Sequence, residues 1–327
     1  MAVYTHLGTE EMASIIDSFD VGTLISAKGI AEGVSNSNWL IETEHPGGQP
    51  KRFILTVYES RVDTDDLPFF LGLLDHLAAE GCPVPRTIHD RDNQPYRMHE
   101  GKALALIEFL SGVSVSDPTP DQARSVGAAL AQVHLASAGF VQTRANTMGL
   151  EAWKSLIAAC SQEGLAQIDP KLGQIVENEL DELERLWPDD LPHSVIHADL
   201  FPDNVLMRGS EVAGLIDFYF ACTDITAYDV AVTHAAWCFS NDGKRFDEDL
   251  SRALLAGYQS VRPLEAEEVT ALPILARGAS MRFLATRSYD WLNRQNGALV
   301  MPKDPMAFAR RLAFYSDPAN ARVFETA

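Results

Sequence analysis

The strongest constraint on the fold lies in the second half of the sequence, where one β-like stretch interrupts a long series of helical patterns. Within residues 194–217, the short apolar segments Val205–Met207 and Val212–Ile216 are separated by the turn sequence Arg-Gly-Ser. Two short apolar runs around a Gly-containing turn are typical of a β-hairpin. This half is therefore predicted to be mainly helical, with one β-hairpin region embedded in it.

Apolar residues at helical spacing recur through most of the remaining second half. The first of these patterns is rich in alanine, which favours a helix. Helices are predicted near residues 121–138, 150–163, 171–187, 225–239, 247–259, 266–276, 278–294 and 305–315.

The first 110 residues are predicted to be rich in β-strands. Apolar, β-branched and aromatic residues form short runs that are bounded by Gly, Pro, Asn and Ser, as is typical of strands joined by turns. A short helix is expected at residues 9–19, and a second between Asp65 and Glu80, where Gly81 would end it. The strands and this second helix are predicted in the order β-β-β-α-β-β, with strands at 24–28, 39–43, 53–58, 95–99 and 103–110.

A polar stretch with Gly, Ser and Pro at 111–120 separates the two patterns. We therefore predict an α+β, bilobal fold, with a small β-rich lobe at 1–110 and a larger helical lobe at 111–327. A cleft between two lobes is a favoured position for a small-molecule ligand.

The charge balance argues against several kinds of partner. Acidic residues outnumber basic ones by 46 to 26, so the formal net charge is −20. A surface this acidic repels phosphate backbones and anionic lipids, which makes nucleic acids and membrane surfaces poor partners. An anionic nucleotide would bind only where a metal ion or backbone amides offset the charge.

The four cysteines, Cys82, Cys160, Cys222 and Cys238, contain no C-x-x-C pair. This spacing is unlike a disulfide scaffold or a zinc ribbon, so reduced thiols that are buried or half-buried are expected. The N-terminal segment lacks the apolar core of a signal peptide, and no apolar run approaches the roughly 20 residues that a membrane helix needs. The protein is predicted to be cytoplasmic.

Oxygen-bearing side chains concentrate at one end of the predicted hairpin. A proline inside the segment 197–204 excludes a regular helix or central strand, so a loop is predicted there. The loop contains Asp199, Asp203 and Asn204, and Asp217 ends the second strand of the hairpin. Phosphoryl transfer needs such a set, because one carboxylate orients the attacking hydroxyl and hard oxygen atoms bind magnesium. The alternative is an ordinary turn that is capped by Asp and Asn.

The spacing His-x-Asp-x-x-x-x-Asn at 197–204, followed 13 residues later by Asp-Phe, resembles the catalytic and metal loops of the protein-kinase-like superfamily. Its aminoglycoside and choline kinase branch is the closer match. The resemblance implies an enzyme that uses ATP and Mg²⁺, with a nucleotide-binding β-rich lobe and a helical lobe that carries catalysis and acceptor binding. It implies that Asp199 is the catalytic base, that Asn204 and Asp217 bind magnesium, and that His197 is a scaffold residue.

A wider pattern looks like the bacterial homoserine kinases that are built on this fold, and it covers nearly the whole chain. It implies transfer of the ATP γ-phosphate to the hydroxyl of L-homoserine, giving O-phospho-L-homoserine, a step of threonine biosynthesis. Two other interpretations stay open: a kinase for choline, an amino sugar or another small alcohol, and a non-catalytic nucleotide-binding regulator. The pattern is carried by Ile30–Asn38, Phe53–Glu59, Leu67–Leu71, Ile196–Val205, Leu215–Cys222, Ala235–Cys238, Leu255–Gln259 and Lys303–Pro305.

The loop between the first two strands is predicted to bind phosphate. Glycines let backbone amides approach a phosphate closely, and polar side chains add donors. The loop lacks the pattern G-x-G-x-x-G, so by itself it is more typical of a polar hairpin turn than of a phosphate-binding loop. Its position and the resemblance favour nucleotide binding by Gly29, Gly33, Asn36, Ser37 and Asn38.

The third strand departs from the usual kinase pattern. Thr56 occupies the position where kinases usually present a lysine to the phosphates, and the following helix has no interior glutamate to pair with one. Magnesium, the loop amides and Lys28 are the candidates to offset the phosphate charge. The segment that contains Glu108 would be the hinge whose backbone binds adenine.

The acceptor that the resemblance implies carries an ammonium and a carboxylate, so its site should supply a carboxylate and an arginine. The candidate acids are Asp203, Asp224 and Asp229. The candidate cations are Arg282 and Arg287, which lie about 500° apart around one helix and so do not share a face. Salt bridges between helices are the common alternative for each of them.

Overall fold

The computed structural model describes most of the chain, namely residues 5, 7–30, 36–59, 63–294 and 302–325. The chain divides into two compact units, Met1–Ser111 and Gly112–Ala327. The first unit is built around an antiparallel sheet and the second is mainly helical, in agreement with the predicted α+β class.

The first unit contains six described strands in one antiparallel sheet of order β1-β2-β3-β6-β4, with β5 also paired to β6. The short strand β4 was not predicted. Two residues are too few to show a period, and β4 exists because it pairs with β6. The elements are α1 (Thr9–Asp17), β1 (Thr23–Ile30), β2 (Asn36–Glu44), β3 (Lys51–Tyr58), α2 (Leu67–Ala79), β4 (Thr87–Ile88), β5 (Arg97–His99) and β6 (Lys102–Glu108).

Alternation of side chains along the strands builds the core of this unit. Ile41 on β2, Leu55 on β3 and Leu106 on β6 are fully buried on one face of the sheet, together with Met12 and Ile16 of α1. Burial of each large aliphatic side chain contributes about 1.5–3 kcal/mol. This face fixes the register of β3, and so places Thr56 in the middle of the sheet, opposite Asn38.

The second unit contains most of the helices and two small two-stranded sheets, β8-β9 and β7-β10. The β8-β9 hairpin was predicted, and Gly209 turns it at a φ of 67°. The elements are α3 (Pro120–Ala136), α4 (Leu150–Cys160), α5 (Gln162–Ile168), α6 (Leu172–Leu186), β7 (His193–Ile196), β8 (Val205–Arg208), β9 (Glu211–Leu215), β10 (Cys222–Ile225), α7 (Thr226–Trp237), α8 (Glu248–Gln259), α9 (Ala266–Leu292) and α10 (Met306–Ser316).

Strand β10 lies outside the stretch that was predicted to be β-like in this half. It has only four residues, of which Thr223 and Asp224 are polar, and it leads directly into α7. Its partner β7 is far away in sequence, so no local pattern announces the pair. Pairing of Cys222 with Ile196 places the start of β10 beside the loop that follows β7, and at the other end of the pair the first residue of α7, Thr226, donates to Pro192.

A single helix, α9, occupies a region where two helices were predicted. Gly278 lies inside it because a side chain would not fit there: a Cβ would stand 2.2 Å from the ring of Trp187. Pro273 also lies inside the helix. Leu272 and Leu275 are buried, and the helix packs against several neighbours, among them α4, α7 and α10. Tertiary packing therefore overrides the local helix-breaking signals.

The four cysteines are all buried and free, as expected for reduced thiols. Within the described residues, no helix is both long and apolar enough to cross a membrane.

Helices α3 and α8 cross at a pair of glycines. A Cβ on Gly127 would lie 2.1 Å from the carbonyl oxygen of Leu254, and a Cβ on Gly257 would lie 2.0 Å from that of Arg124. Each glycine therefore faces the backbone of the other helix, which has no flexible end to move aside. The close crossing also brings Tyr258 to His134, which lies in the last turn of α3.

We expect the substitution Gly257→Ala to lower the free energy of unfolding by about 1–3 kcal/mol, the usual cost of overpacking. This loss should appear although alanine favours a helix interior by about 1 kcal/mol over glycine. Denaturant titration measures it, with Arg252→Ala on the exposed side of α8 as a control that should change stability by less than about 0.5 kcal/mol. A Gly257→Ala protein as stable as the native one would contradict the close crossing.

Candidate active site

The predicted loop between β7 and β8 has an unusual backbone. Ala198 adopts a φ of 62°, and after β9 the chain turns again at Asp217 with a φ of 66°. Residues with a Cβ rarely occupy this left-handed region, which costs of the order of 1–3 kcal/mol at each position. A short 3-10 turn, Pro202–Asn204, leads from the loop into β8. Surrounding contacts must hold both strained positions in place.

A buried carboxylate on α7, that of Asp229, holds the first strained position. It accepts hydrogen bonds from the backbone N–H groups of His197 (2.7 Å) and Ala198 (2.8 Å), and from Nε2 of His134 (2.9 Å). Burial alone would raise the pKa of Asp229, but these bonds, with that of His134 foremost, hold it below its usual range. The ionised carboxylate therefore fixes the backbone at the start of the loop.

His197 connects the two loops of the site. Its Nε2 donates to the carbonyl oxygen of Ile216 at 2.9 Å, while its Nδ1 accepts from the backbone N–H of Asp199 at 3.2 Å. Complete burial lowers the pKa of His197, which favours the neutral ring that these two bonds require. The imidazole is thus a scaffold, as the sequence predicted, and it ties the residue before Asp217 to the residue after Ala198.

The structure brings the predicted catalytic and metal residues into one loop system. Nδ2 of Asn204 donates to the backbone oxygen (2.8 Å) and to Oδ2 (3.2 Å) of Asp199, and its backbone oxygen accepts from Ile216. These bonds occupy the amide nitrogen of Asn204, and they leave its amide oxygen as the atom that a cation would use. Asp203 is exposed on the same turn.

The electrostatics of this loop system favour a bound cation. Loss of hydration raises the pKa of Asp199 to about 7; Arg282 opposes the shift, while the charges of Asp217 and Asp203 add to it. The pKa of Asp217 is raised as well, since protein atoms displace water from its carboxyl and Asp203 repels it, although the residue as a whole stays exposed. Magnesium prefers carboxylate and amide oxygens, so the donor set of Asn204 and Asp217 fits this ion, which would relieve the repulsion.

The two arginines proposed for the acceptor occupy different places. Arg282 is fully buried: it donates from Nη1 to the carbonyl oxygen of Ala198 and lies over the rings of Phe220 (5.1 Å) and Phe283 (4.7 Å). This burial favours a role in holding the loop. Arg287 is only partly buried.

Arg287 and a lysine outside the predicted site flank the ring of Phe201 in the loop between β7 and β8. The guanidinium carbon of Arg287 lies 4.5 Å from the ring centre of Phe308 and 6.0 Å from that of Phe201. Nζ of Lys303 lies 5.5 Å from the centre of Phe201 and 3.1 Å from Oδ2 of Asp203. The lysine belongs to the Lys-Asp-Pro segment of the wider resemblance, which was the only signal for it in the sequence.

The remaining acid candidates differ in their surroundings. Asp224 lies on β10, where its carboxylate accepts from Nδ2 of Asn146 (2.6 Å) and from the backbone N–H of Ile225 (2.7 Å). Asp229 is buried beneath the loop and is not open to an acceptor. The sequence does contain a signal for this buried position: Asp229 is an aspartate within the apolar run that forms α7. A charge in such a run is expected to be buried, and buried charges in proteins are paired.

The residues predicted to bind the nucleotide lie in the first unit. Thr56 donates from Oγ1 to Oδ1 of Asn38 (2.8 Å), so the position of the usual lysine is filled by a hydrogen-bonded pair across β2 and β3. Ser37 donates to Glu59 (2.7 Å), whose carboxylate also pairs with Lys102 (2.6 Å). Side chains that were predicted to bind the nucleotide are therefore already hydrogen-bonded within this unit.

The other predicted nucleotide residues surround these pairs or lie at strand ends. Gly29 lies near the end of β1 and Lys28 is exposed beside it, while Asn36 begins β2 and accepts weakly from the backbone of Glu59 (3.4 Å). Glu108 ends β6. Gly33 lies outside the described residues.

Comparison with known proteins decides the family. The model of the phosphotransferase enzyme family matches residues 26–264, which is more than half of the chain. This protein belongs to the phosphotransferase enzyme family.

Individual phosphotransferases match over almost the full length. A homoserine kinase of Azorhizobium caulinodans is 50% identical over 322 residues, which covers 98% of each chain, and one of Methylobacterium radiotolerans is 48% identical with the same coverage. The solved structure of the amicoumacin kinase hAmiN has a TM-score of 0.70 at 15% identity and covers 93% of this chain and 92% of that one. The predicted protein-kinase-like fold of this phosphotransferase is thereby confirmed.

We expect Asp229→Asn to damage both stability and turnover of this phosphotransferase. The amide would leave at least one buried donor of the loop without an acceptor, at a cost of about 3–5 kcal/mol in unfolding free energy. Displacement of Asp199 by about 1 Å would lower kcat by about 100-fold. Denaturant titration and steady-state kinetics measure the two effects, with exposed Asp249→Asn on α8 as the matched control.

The loss of stability caused by Asp229→Asn should depend on pH in a defined direction. The pKa of Asp229 is lower in the folded protein, so its contribution is fully present above the unfolded value of about 3.9 and is lost as the pH falls through the folded value. The stability difference between native protein and variant should therefore be largest at neutral pH and shrink below about pH 4. A difference that grows on acidification would contradict an ionised anchor.

Proposed function

We propose that this protein is a homoserine kinase that transfers the γ-phosphate of ATP to the hydroxyl of L-homoserine. The observation that carries the proposal is the match to homoserine kinases at 50% and 48% identity over 98% of both chains. The loop system supports it, because it combines a carboxylate suited to a hydroxyl acceptor with an oxygen donor set that fits magnesium. The product would be O-phospho-L-homoserine, an intermediate of threonine biosynthesis made in the cytoplasm.

In this proposal Asp199 accepts a hydrogen bond from the hydroxyl of homoserine and takes its proton. The hydroxyl oxygen bonds to the γ-phosphorus of ATP while the bond from that phosphorus to the β,γ-bridging oxygen breaks, and ADP leaves. The raised pKa of Asp199, about 7, makes it a better base than an ordinary aspartate. Asn204 and Asp217 would hold magnesium, which supplies positive charge to the phosphate oxygens. Asn204 serves twice, since its amide nitrogen also fixes the orientation of Asp199.

Three buried groups position Asp199 without contact to the substrate. Asp229 binds the two N–H groups that precede it, His197 accepts from its own N–H, and Arg282 binds the carbonyl oxygen of Ala198. Together they hold Ala198 at its positive φ. The direction in which the Asp199 side chain leaves the backbone follows from this one residue.

For the nucleotide, we propose that the β-rich unit supplies the binding site. Backbone amides of the loop between β1 and β2 would contact the phosphates, and the backbone around Glu108 would contact adenine. The bonds of Thr56 with Asn38 and of Ser37 with Glu59 make these side chains supports for that loop. No lysine stands on β3 beside Thr56, so magnesium and the amides carry more of the charge neutralisation here than in kinases that have this lysine. The residues proposed for this site are Gly29 near the end of β1, Gly33, and Asn36, Ser37 and Asn38 at the start of β2.

A panel of acceptors tests the proposed function. With ATP and Mg²⁺, we expect L-homoserine to have the highest kcat/KM in a coupled ADP assay, above choline, 3-aminopropan-1-ol and an aminoglycoside. Removal of Mg²⁺ by a chelator should abolish turnover, because the phosphate charge then has no cation. Turnover of choline with none of homoserine would overturn the proposal.

The substitution Asp199→Asn tests the mechanism. Loss of the base should lower kcat by about 100- to 10,000-fold while ATP still binds. Because the pKa of Asp199 is raised in the folded state to about 7, its ionised form opposes folding above that pH. Without divalent cations, the variant should therefore be at least as stable as the native protein at about pH 8. Full activity of the variant would exclude Asp199 as the base.

A further inference from the structure

The acceptor creates an electrostatic problem at this site. L-Homoserine carries its carboxylate two carbon atoms from the methylene group that bears the reacting hydroxyl. When that hydroxyl reaches Asp199, the carboxylate must lie close to a loop that also holds Asp203 and Asp217. The pKa values of Asp199 and Asp217 are raised partly by this crowding of negative charge. A carboxylate binds there only if a cation of the protein meets it.

Three cations in the described residues of the second unit act on this loop. Arg282 and Lys303 oppose the rise in the pKa of Asp199, and the charges of Asp199 and Asp203 act in turn on Arg287. Arg282 is not available to a substrate, because it is fully buried and donates to Ala198. Arg287 and Lys303 remain.

Arg287 has unused hydrogen-bonding capacity. Among the described residues, its guanidinium makes one long hydrogen bond, from Nη1 to the carbonyl oxygen of Asp304 at 3.4 Å. The group has five N–H donors and lies over the ring of Phe308. Burial lowers its pKa to about 10, and Arg311 adds to the shift, so it stays charged at neutral pH. A half-buried cation with so few hydrogen bonds lowers the stability of the protein unless an anion binds to its unused N–H donors.

Lys303 brings a second positive charge to the same ring. Both cations lie within 6.0 Å of the centre of Phe201, two residues after Asp199. The ion pair of Lys303 with Asp203 is exposed, so it contributes little stability and is easily exchanged for another anion. The planar fork of Arg287 is suited to a carboxylate, and the mobile Lys303 can follow it.

We propose that Arg287 and Lys303 form the site for the α-carboxylate of the acceptor, with Arg287 as the principal contact. This inference rests on the proposed function, because it assigns the substrate group that homoserine has and that choline and amino alcohols lack. It makes the pair the determinant of specificity for homoserine over acceptors that lack a carboxylate. The same cations could instead contact the ATP phosphates, and the experiment separates the two possibilities.

The test compares L-homoserine with 3-aminopropan-1-ol, which differs only by loss of the carboxylate. The second compound is followed as a substrate or, where turnover is too slow, as a competitive inhibitor of homoserine. Arg287→Gln should lower kcat/KM for homoserine by about 10- to 100-fold, mainly through KM, because a charge-assisted hydrogen bond is lost. In the Arg287→Gln variant, kcat/KM (or the inhibition constant) for 3-aminopropan-1-ol and the KM for ATP should stay unchanged. For Arg287→Lys, kcat/KM for homoserine should lie between the values of the native protein and of Arg287→Gln, because lysine keeps the positive charge but lacks the planar fork of donors.

Lys303→Gln provides an independent variant, because its exposed side chain can be replaced without disturbing the core. It should raise the KM for homoserine by a smaller factor and leave 3-aminopropan-1-ol unaffected. Arg252→Gln on α8 is the matched control, and melting temperatures establish that all variants fold. Equal losses for both compounds, or a raised KM for ATP, would overturn the carboxylate site. Failure of the native protein to phosphorylate homoserine would instead overturn the proposed function.

Discussion

The loop between β7 and β8 depends on one buried carboxylate. Asp229 of α7 accepts two consecutive backbone N–H groups and one imidazole N–H, and no smaller or neutral side chain of the same shape could accept all three. The carboxylate binds N–H groups on the N-terminal side of the Ala198 Cα, and Arg282 binds the carbonyl oxygen on its other side, so the positive φ of Ala198 is held from both sides. These hydrogen bonds offset both the strain of that residue and the cost of burying the charge.

Beyond Asp229, the polar network continues into the helical unit. His134 of α3 also binds the hydroxyl of Tyr258 on α8 at 2.8 Å, and Arg262 links that hydroxyl to Glu268 at the start of α9. The network is possible because glycines let α3 and α8 approach to backbone contact. This crossing thus brings Tyr258 to Nδ1 of His134, while Nε2 of the same ring binds Asp229.

The crowded charges of this loop make it less stable. Burial raises the pKa values of Asp199 and Asp217, and the neighbouring carboxylates add to the rise. This is the pattern expected of an active site that keeps charge for its ligands at a cost in folding free energy. Magnesium would offset the negative charge of the nucleotide phosphates, and the cationic pair Arg287–Lys303 would offset that of the acceptor carboxylate.

Much of this arrangement follows from local sequence, and the rest does not, for physical reasons. The hairpin β8-β9 and the loop before it are announced by apolar runs, a turn and a proline within a few residues. Strand β10 and the continuity of α9 depend on partners distant in sequence, so local propensity misses them. The anchoring role of Asp229 was missed because an acidic residue looks the same in sequence whether it faces a substrate or a buried backbone. Arg287 was recognised only as one of two candidate arginines. Its separation of five residues from Arg282 shows that the two side chains lie on different faces of the helix, but not which of them is buried.

Identification of the product by phosphorus-31 NMR with proton correlation tests the central claim most directly. When the native protein is given ATP, Mg²⁺ and L-homoserine, a new phosphate monoester signal should grow as the γ-phosphate signal of ATP declines. That signal should couple to the methylene protons next to the former hydroxyl, which places the phosphate on that oxygen. Release of inorganic phosphate alone, or coupling to protons elsewhere in the acceptor, would contradict phosphoryl transfer to homoserine at this loop.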